Sequence, residues 1–98
     1  MKKEHAKKIL SDVTPEQCFW INNGPVVKNL RQLPSALKRM KEETFMHHVN
    51  KDKNDFSTWV SHVIGDTALA SAISKLKTKK AMIDELNKRI KLLKKTAG

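Results

Sequence analysis

Asn54-Asp55-Phe56-Ser57-Thr58-Trp59-Val60-Ser61-His62-Val63-Ile64-Gly65-Asp66 is the stretch that decides the fold. Phe56, Trp59, Val60, Val63 and Ile64 fall at i, i+3, i+4, i+7 and i+8, so they line one face of an α-helix. Asn54 or Asp55 caps its start, because a short side-chain oxygen there accepts an orphan backbone N–H. Gly65 suits the residue just past its end, where the backbone turns left-handed. Asp66 then caps the next helix at once, which makes a sharp corner.

Downstream, Leu69, Ile73 and Leu76 give that next helix its apolar face, and Ala68, Ala70 and Ala72 permit close packing. Thr78 caps a final helix, unless the helix runs on from residue 66. Ile83, Leu86, Ile90 and Leu93 follow with three-four-three spacing. This seam is far shorter than the ~3–4 heptads a coiled coil needs, so docking onto the protein's own core is its first use; a protein-interaction module or homodimer built on this amphipathic helix is the alternative function. Upstream, Glu42 to Val49 reads as a short helix with Phe45, His48 and Val49 on one face. Leu30, Leu33, Leu37 and Met40 mark another, with Pro34 in its first turn. Asn22-Asn23-Gly24-Pro25 is a turn, with Gly24 available for a positive φ. Around it, residues 18–27 suit either a helix or a small hairpin in which Cys18–Ile21 pairs with Val26-Val27. Thr14-Pro15-Glu16-Gln17 reads as a cap with Pro at the first helical position. Residues 1–13 form a basic leader, a frayed helix or disordered. The chain is therefore mainly α. It is a compact bundle of four to five short helices in a single domain, 14–98, with a Lys-rich C-terminal helix and a short N-terminal β-hairpin near 18–27 as the open alternative.

Composition limits the function classes. Ninety-eight residues make one domain, and a hydrophobic content of 39% closes a modest core without also lining a large substrate cavity. All five aromatic residues, Phe19, Trp20, Phe45, Phe56 and Trp59, lie in the middle of the chain, which places the bulky anchors there. A single cysteine, Cys18, excludes an internal disulfide. No stretch approaches the ~18 apolar residues of a membrane span, and the basic start lacks the apolar run of a signal peptide. A cytoplasmic location is expected.

Net charge is +10, and 17 of the 20 basic residues are Lys. Residues 67–98 hold +7 of that charge, whereas residues 41–66 are net acidic. Polyanions should meet the final third first.

Phe19-Trp20, Asn23-Gly24, Leu30, Leu33, Leu37, Met40, Thr44-Phe45, His48-Val49-Asn50, Lys53-Asn54-Asp55-Phe56, Trp59-Val60, Val63-Ile64-Gly65-Asp66 and Leu69-Ala70 together resemble a little-characterised prokaryotic domain family. The specific part is His-Val-Asn-x-x-x-Asn-Asp-Phe-x-x-Trp, from His48 to Trp59. The resemblance covers about half the chain well and the final helix loosely. It implies a small helical module, found alone or attached to larger proteins that include carbohydrate-active enzymes, and it implies no particular chemistry. The basic leader and the Lys-rich tail depart from that family pattern.

No catalytic constellation stands out. His47 and His48 diverge by ~100° on a helix, and a metal site of His48, Asp55 and His62 lacks the local ligand pairs usual for zinc. A structural role fits His48 better, bonded to Asn54 or Asp55 across the loop. Cys18 has no basic neighbour to activate it. Three glycines are too few for a phosphate-cradling loop. We expect no enzyme activity, no cofactor, no metal, no membrane and no small-molecule substrate.

The positive expectation rests on lysines. Lys80, Lys88, Lys91, Lys94 and Lys95 share an arc of about 120° on the final helix, away from the apolar seam. Asp84 is spaced to pair with Lys80 and Lys88, and Glu85 with Arg89. With Lys75 and Lys77 these residues suit a phosphate backbone, helped by Lys2, Lys3, Lys7 and Lys8. Lys acts on phosphate as a point charge, whereas bidentate Arg reads guanine, so little sequence preference is expected. Duplex DNA or structured RNA is the expected partner.

Overall fold

In the computed structural model, which describes all 98 residues, six helices and one hairpin follow in order. They are α1 (Lys3–Leu10), β1 (Phe19–Trp20), β2 (Val26–Val27), α2 (Leu33–Arg39), α3 (Glu42–His48), α4 (Asp55–Trp59), α5 (Thr67–Ser74) and α6 (Lys79–Ala97). Short 3-10 turns at Pro15–Gln17 and Leu30–Gln32 lead into the hairpin and into α2.

Asn54 starts α4 by accepting the Ser57 N–H at 3.0 Å, and its amide donates to the Ile73 carbonyl at 3.0 Å. One side chain thus caps the start of α4 and satisfies a carbonyl in the last turn of α5, two sets of groups that helices leave orphaned. The helix runs on from Trp59 as a wider π-turn, Val60–Ile64. There the Val60 carbonyl accepts from both Gly65 (2.8 Å) and Asp66 (3.2 Å). Gly65 is left-handed at φ +87° and ends the helix without a Cβ penalty. Asp66 caps α5 through the Leu69 N–H at 3.1 Å. Of the three alanines on α5, only Ala70 is buried; Ala68 and Ala72 face outward.

The core gathers around the aromatic residues. Phe19 stacks on Phe56 with ring centres 4.8 Å apart and meets Trp59 edge-on at 5.7 Å, arrangements that suit the ring quadrupoles. Trp20 is the exception among the expected anchors, at 69% exposure. Strand alternation explains it: with Phe19 turned inward, its neighbour must face out.

Residues 18–27 form the hairpin, with Phe19 opposite Val27 and Trp20 opposite Val26. In its turn, Asn23 takes the positive φ (58°) expected of Gly24. Asn tolerates that region through its short polar side chain. Gly24 serves close approach instead: a Cβ there would come within 2.8 Å of Ile21 Cγ2.

Within the leader, Lys3–Leu10 is helical. α1 lays Ala6 and Ile9 into the core, chiefly against α6, and Ile9 is 2% exposed. Beyond it, the Val13 N–H donates to the Lys28 carbonyl at 2.8 Å, and Asn29 Nδ2 donates to Asp12 Oδ1 at 2.6 Å. The physical reason is apolar spacing: Ala6, Ile9 and Leu10 recur at i, i+3 and i+4 within α1. The Cα radius of gyration, 12.7 Å, matches the about 13 Å of a domain this size with no tail standing off it.

Candidate nucleic-acid interface

α6 is the long element on which the lysines sit. Thr78 Oγ1 starts it by accepting the Ala81 N–H at 3.2 Å, so the chain breaks between α5 and α6. Its 19 residues span about 28 Å. Met82, Leu86, Ile90 and Leu93 are buried. At 100° per residue, the exposed Lys80, Lys88, Lys91 and Lys95 fall on the far side of the helix, with Lys94 at the edge of that arc. Lys75 and Lys77 are exposed in the connector before it. Lys80 pairs with Asp84 at 3.0 Å across an exposed helix surface, a contact of small energy. Lys75, Lys77, Lys88, Lys91, Lys94 and Lys95 form no ion pair.

Two expectations about α6 need correction. Arg89 does not pair with Glu85, nor Lys88 with Asp84. Arg89 reaches Asp66 instead, with Nε 2.7 Å from Oδ2 and the Nη2 nitrogen 3.0 Å from Oδ1. The Asp66 side chain is only 2% exposed, so this fork takes Arg89 out of the surface charge and ties α6 to the start of α5. The seam of Ile83, Leu86, Ile90 and Leu93 is committed to the core as well. Leu86, Ile90 and Leu93 are buried and Ile83 packs half-buried at the edge, with Met82 completing the face. α1 and α2 cover it, which leaves no apolar stripe there for a second copy. Lys79 also turns inward, and its ammonium donates to the Met40 carbonyl just past α2.

Folding adds something the linear charge sums do not contain. α1 packs on α6, which brings Lys7 into one depression with Lys94 and sets Lys3 beside Gly98 at the end of the final helix. Two basic segments, at opposite ends of the chain, become neighbours. The signal for this was the spacing of Ala6, Ile9 and Leu10 in α1, easily lost among its lysines.

The family-like motif has a structural account. His48 Nε2 accepts the Asn22 N–H at 3.0 Å, so Nδ1 carries the proton and donates to Asp55 Oδ2 at 2.9 Å. This ring joins the hairpin turn, α3 and α4. It resembles a catalytic His–Asp dyad, but the nitrogen that would act as base is already occupied and the side chain is 7% exposed. Burial pushes the Asp55 carboxyl up. The hydrogen bonds from His48 and Lys53, with the charge of Lys53, outweigh that and hold it below the ordinary carboxylate range. Trp59 Nε1 donates to the Gln17 carbonyl at 2.8 Å. Asn50 accepts the Asp52 N–H at 3.0 Å, shaping the loop before α4. His62 is exposed on the π-turn and does not join His48 and Asp55. A concavity of about 560 Å³ lies between the hairpin turn and α2–α3 and includes Arg39, Lys41 and Glu43. It shares no residue with the lysine face.

The geometry defines a small, mainly helical domain with a row of exposed lysines along its final helix. Residues 12–95 match the model of a family of unknown function, DUF5752, and the chain belongs to that family. The match runs through α6, so the Lys-rich helix is part of the family's domain rather than an appendage; α1 lies outside it. Neither the curated proteins nor the solved structures contain a significant match.

Proposed function

We propose that this protein is a non-enzymatic nucleic-acid-binding protein that holds the phosphate backbone of duplex DNA or structured RNA with little sequence preference. The observation that carries the reading is the row of unpaired, exposed lysines on and just before α6, with Lys7 of α1 beside Lys94. Rows of ammonium groups on a rigid rod track phosphates as point charges and displace condensed counterions. Trp20 is a single exposed aromatic on the hairpin, too few for a single-strand stacking platform. In this reading the His48–Trp59 motif serves folding, the protein works in the cytoplasm, and attachment to carbohydrate-active enzymes in related chains would add a nucleic-acid-tethering or docking unit to them.

Fluorescence anisotropy with labelled DNA and RNA duplexes at two salt concentrations tests it. Binding is expected at low salt, weakening steeply as salt rises. Changing Lys88, Lys91, Lys94 and Lys95 together to Gln should flatten the log–log salt slope by about 3–4, near 0.9 for each phosphate no longer neutralised. Absence of binding at low salt overturns the proposal. Unchanged affinity in the fourfold variant overturns the site.

A further inference from the structure

At the junction of α1 and α6 lies a shallow depression of about 330 Å³ walled by Lys7, Leu10, Ser11, Arg31, Lys94 and Ala97. Three of its six lining residues are cationic. They come from three separate parts of the chain, so the cluster exists only in the folded protein. The lysine face of α6 enters it through Lys94.

Arg31 is the decisive member. Its Nε donates to the Leu10 carbonyl at 3.2 Å, which fixes the guanidinium at the lip of the depression. Its terminal nitrogens make no hydrogen bond. The nearest carboxylate, Asp12 Oδ1, stands 3.9 Å from the Nη2 nitrogen, too far for one, and that oxygen already accepts from Asn29 at 2.6 Å. A guanidinium held by one edge presents the other as a ready two-pronged donor. Lys7 is opposed only by Glu4, loosely at 3.9 Å and well exposed, and Lys94 by no carboxylate. Against Asp12 and Glu4, three cations leave the depression with a small positive excess.

We infer that Lys7, Arg31 and Lys94 form a phosphate-binding notch, in which Arg31 grips one phosphate of the bound nucleic acid through two oxygens while the lysines flank it. The inference rests on the proposed function for its ligand, a backbone phosphodiester, and on geometry alone for the anion site. The notch would give the lysine face one oriented contact among many point-charge contacts, fixing where α6 lies along the backbone.

The test uses the full chain with Arg31→Gln and Arg31→Lys, each first checked by circular dichroism for an unchanged fold. Duplex affinity is measured across a salt series, and the Arg31 Nε–Hε resonance is followed by NMR with duplex and, separately, with inorganic phosphate. Arg31→Gln should weaken duplex binding roughly 10-fold at low salt and flatten the salt slope by about 0.9, with Arg31→Lys between it and the natural chain. The Arg31 resonance should shift saturably with both ligands. Duplex binding that is indifferent to both variants, with an unmoved resonance, overturns the notch and leaves the lysine face standing. Saturable phosphate binding at Arg31 with no duplex binding keeps the notch and overturns the nucleic-acid reading. No response to either ligand overturns both.

Discussion

Replacing Arg89 with Met separates two accounts of the same residue by magnitude. On the helix surface, an Arg89–Glu85 pair four residues apart would contribute about 0.3–0.5 kcal/mol. In the fold, Arg89 meets the Asp66 carboxylate at 2.7 and 3.0 Å, and the Asp66 side chain is 2% exposed. Removing the guanidinium leaves a buried carboxylate whose one remaining donor is the Leu69 N–H at 3.1 Å. Breaking one side of such a pair costs about 3–5 kcal/mol. That is a large part of the roughly 5–15 kcal/mol that holds a domain together. Met and Arg have nearly the same helix propensity, so α6 itself is not penalised. At about 4–8 °C per kcal/mol for a domain of this size, the melting temperature should fall by at least ~12 °C. Urea unfolding followed at the helical circular dichroism band would show a lower midpoint with an unchanged slope. Adding Asp66→Asn should recover roughly half of the loss or more, because the amide oxygen still caps α5 and no charge remains buried. A loss under about 1 kcal/mol in the single variant would refute the buried-pair account, since that is the scale of an exposed pair.

Two other outcomes follow from the same structure. Ile9→Ala should destabilise the protein by about 2–4 kcal/mol in urea unfolding, because Ile9 fills the α1–α6 contact; a change near zero would mean that α1 is undocked. The Asp55 carboxyl lies below its ordinary value in the folded state, so the unfolded chain binds its proton first as pH falls. Its contribution to stability is therefore present in full above the ordinary carboxylate range and fades as pH drops through the lowered folded value. Asp55→Asn should cost stability near neutrality and progressively less in acid, measured by urea unfolding across an acid pH series; a difference independent of pH would contradict the shift.

The amino-acid sequence by itself determined what depends on neighbours a few positions apart. Asn54, Asp66 and Thr78 cap helices where their spacing says they should, and Gly65 ends one in the left-handed region. The face of Leu86, Ile90 and Leu93 and the opposite lysine face follow from a 100° step. Those signals are local, because a cap or a helix face involves residues within two turns. They also put the candidate site on the final helix. Tertiary structure decided everything that depends on which distant segment supplies a partner. His48 chose Asp55 on one side and the Asn22 N–H on the other. Arg89 chose Asp66 over a near neighbour, because a desolvated carboxylate needs its fork more than the half-buried Glu85 does. The leader became α1 once α6 offered Ala6 and Ile9 a surface, since a helix of 8 residues is marginal without one. Docking it brought Lys7 beside Lys94, from the two ends of the chain. The lysine run on the final helix was legible as a list of charges; its enlargement by α1 and Arg31 is a product of packing alone.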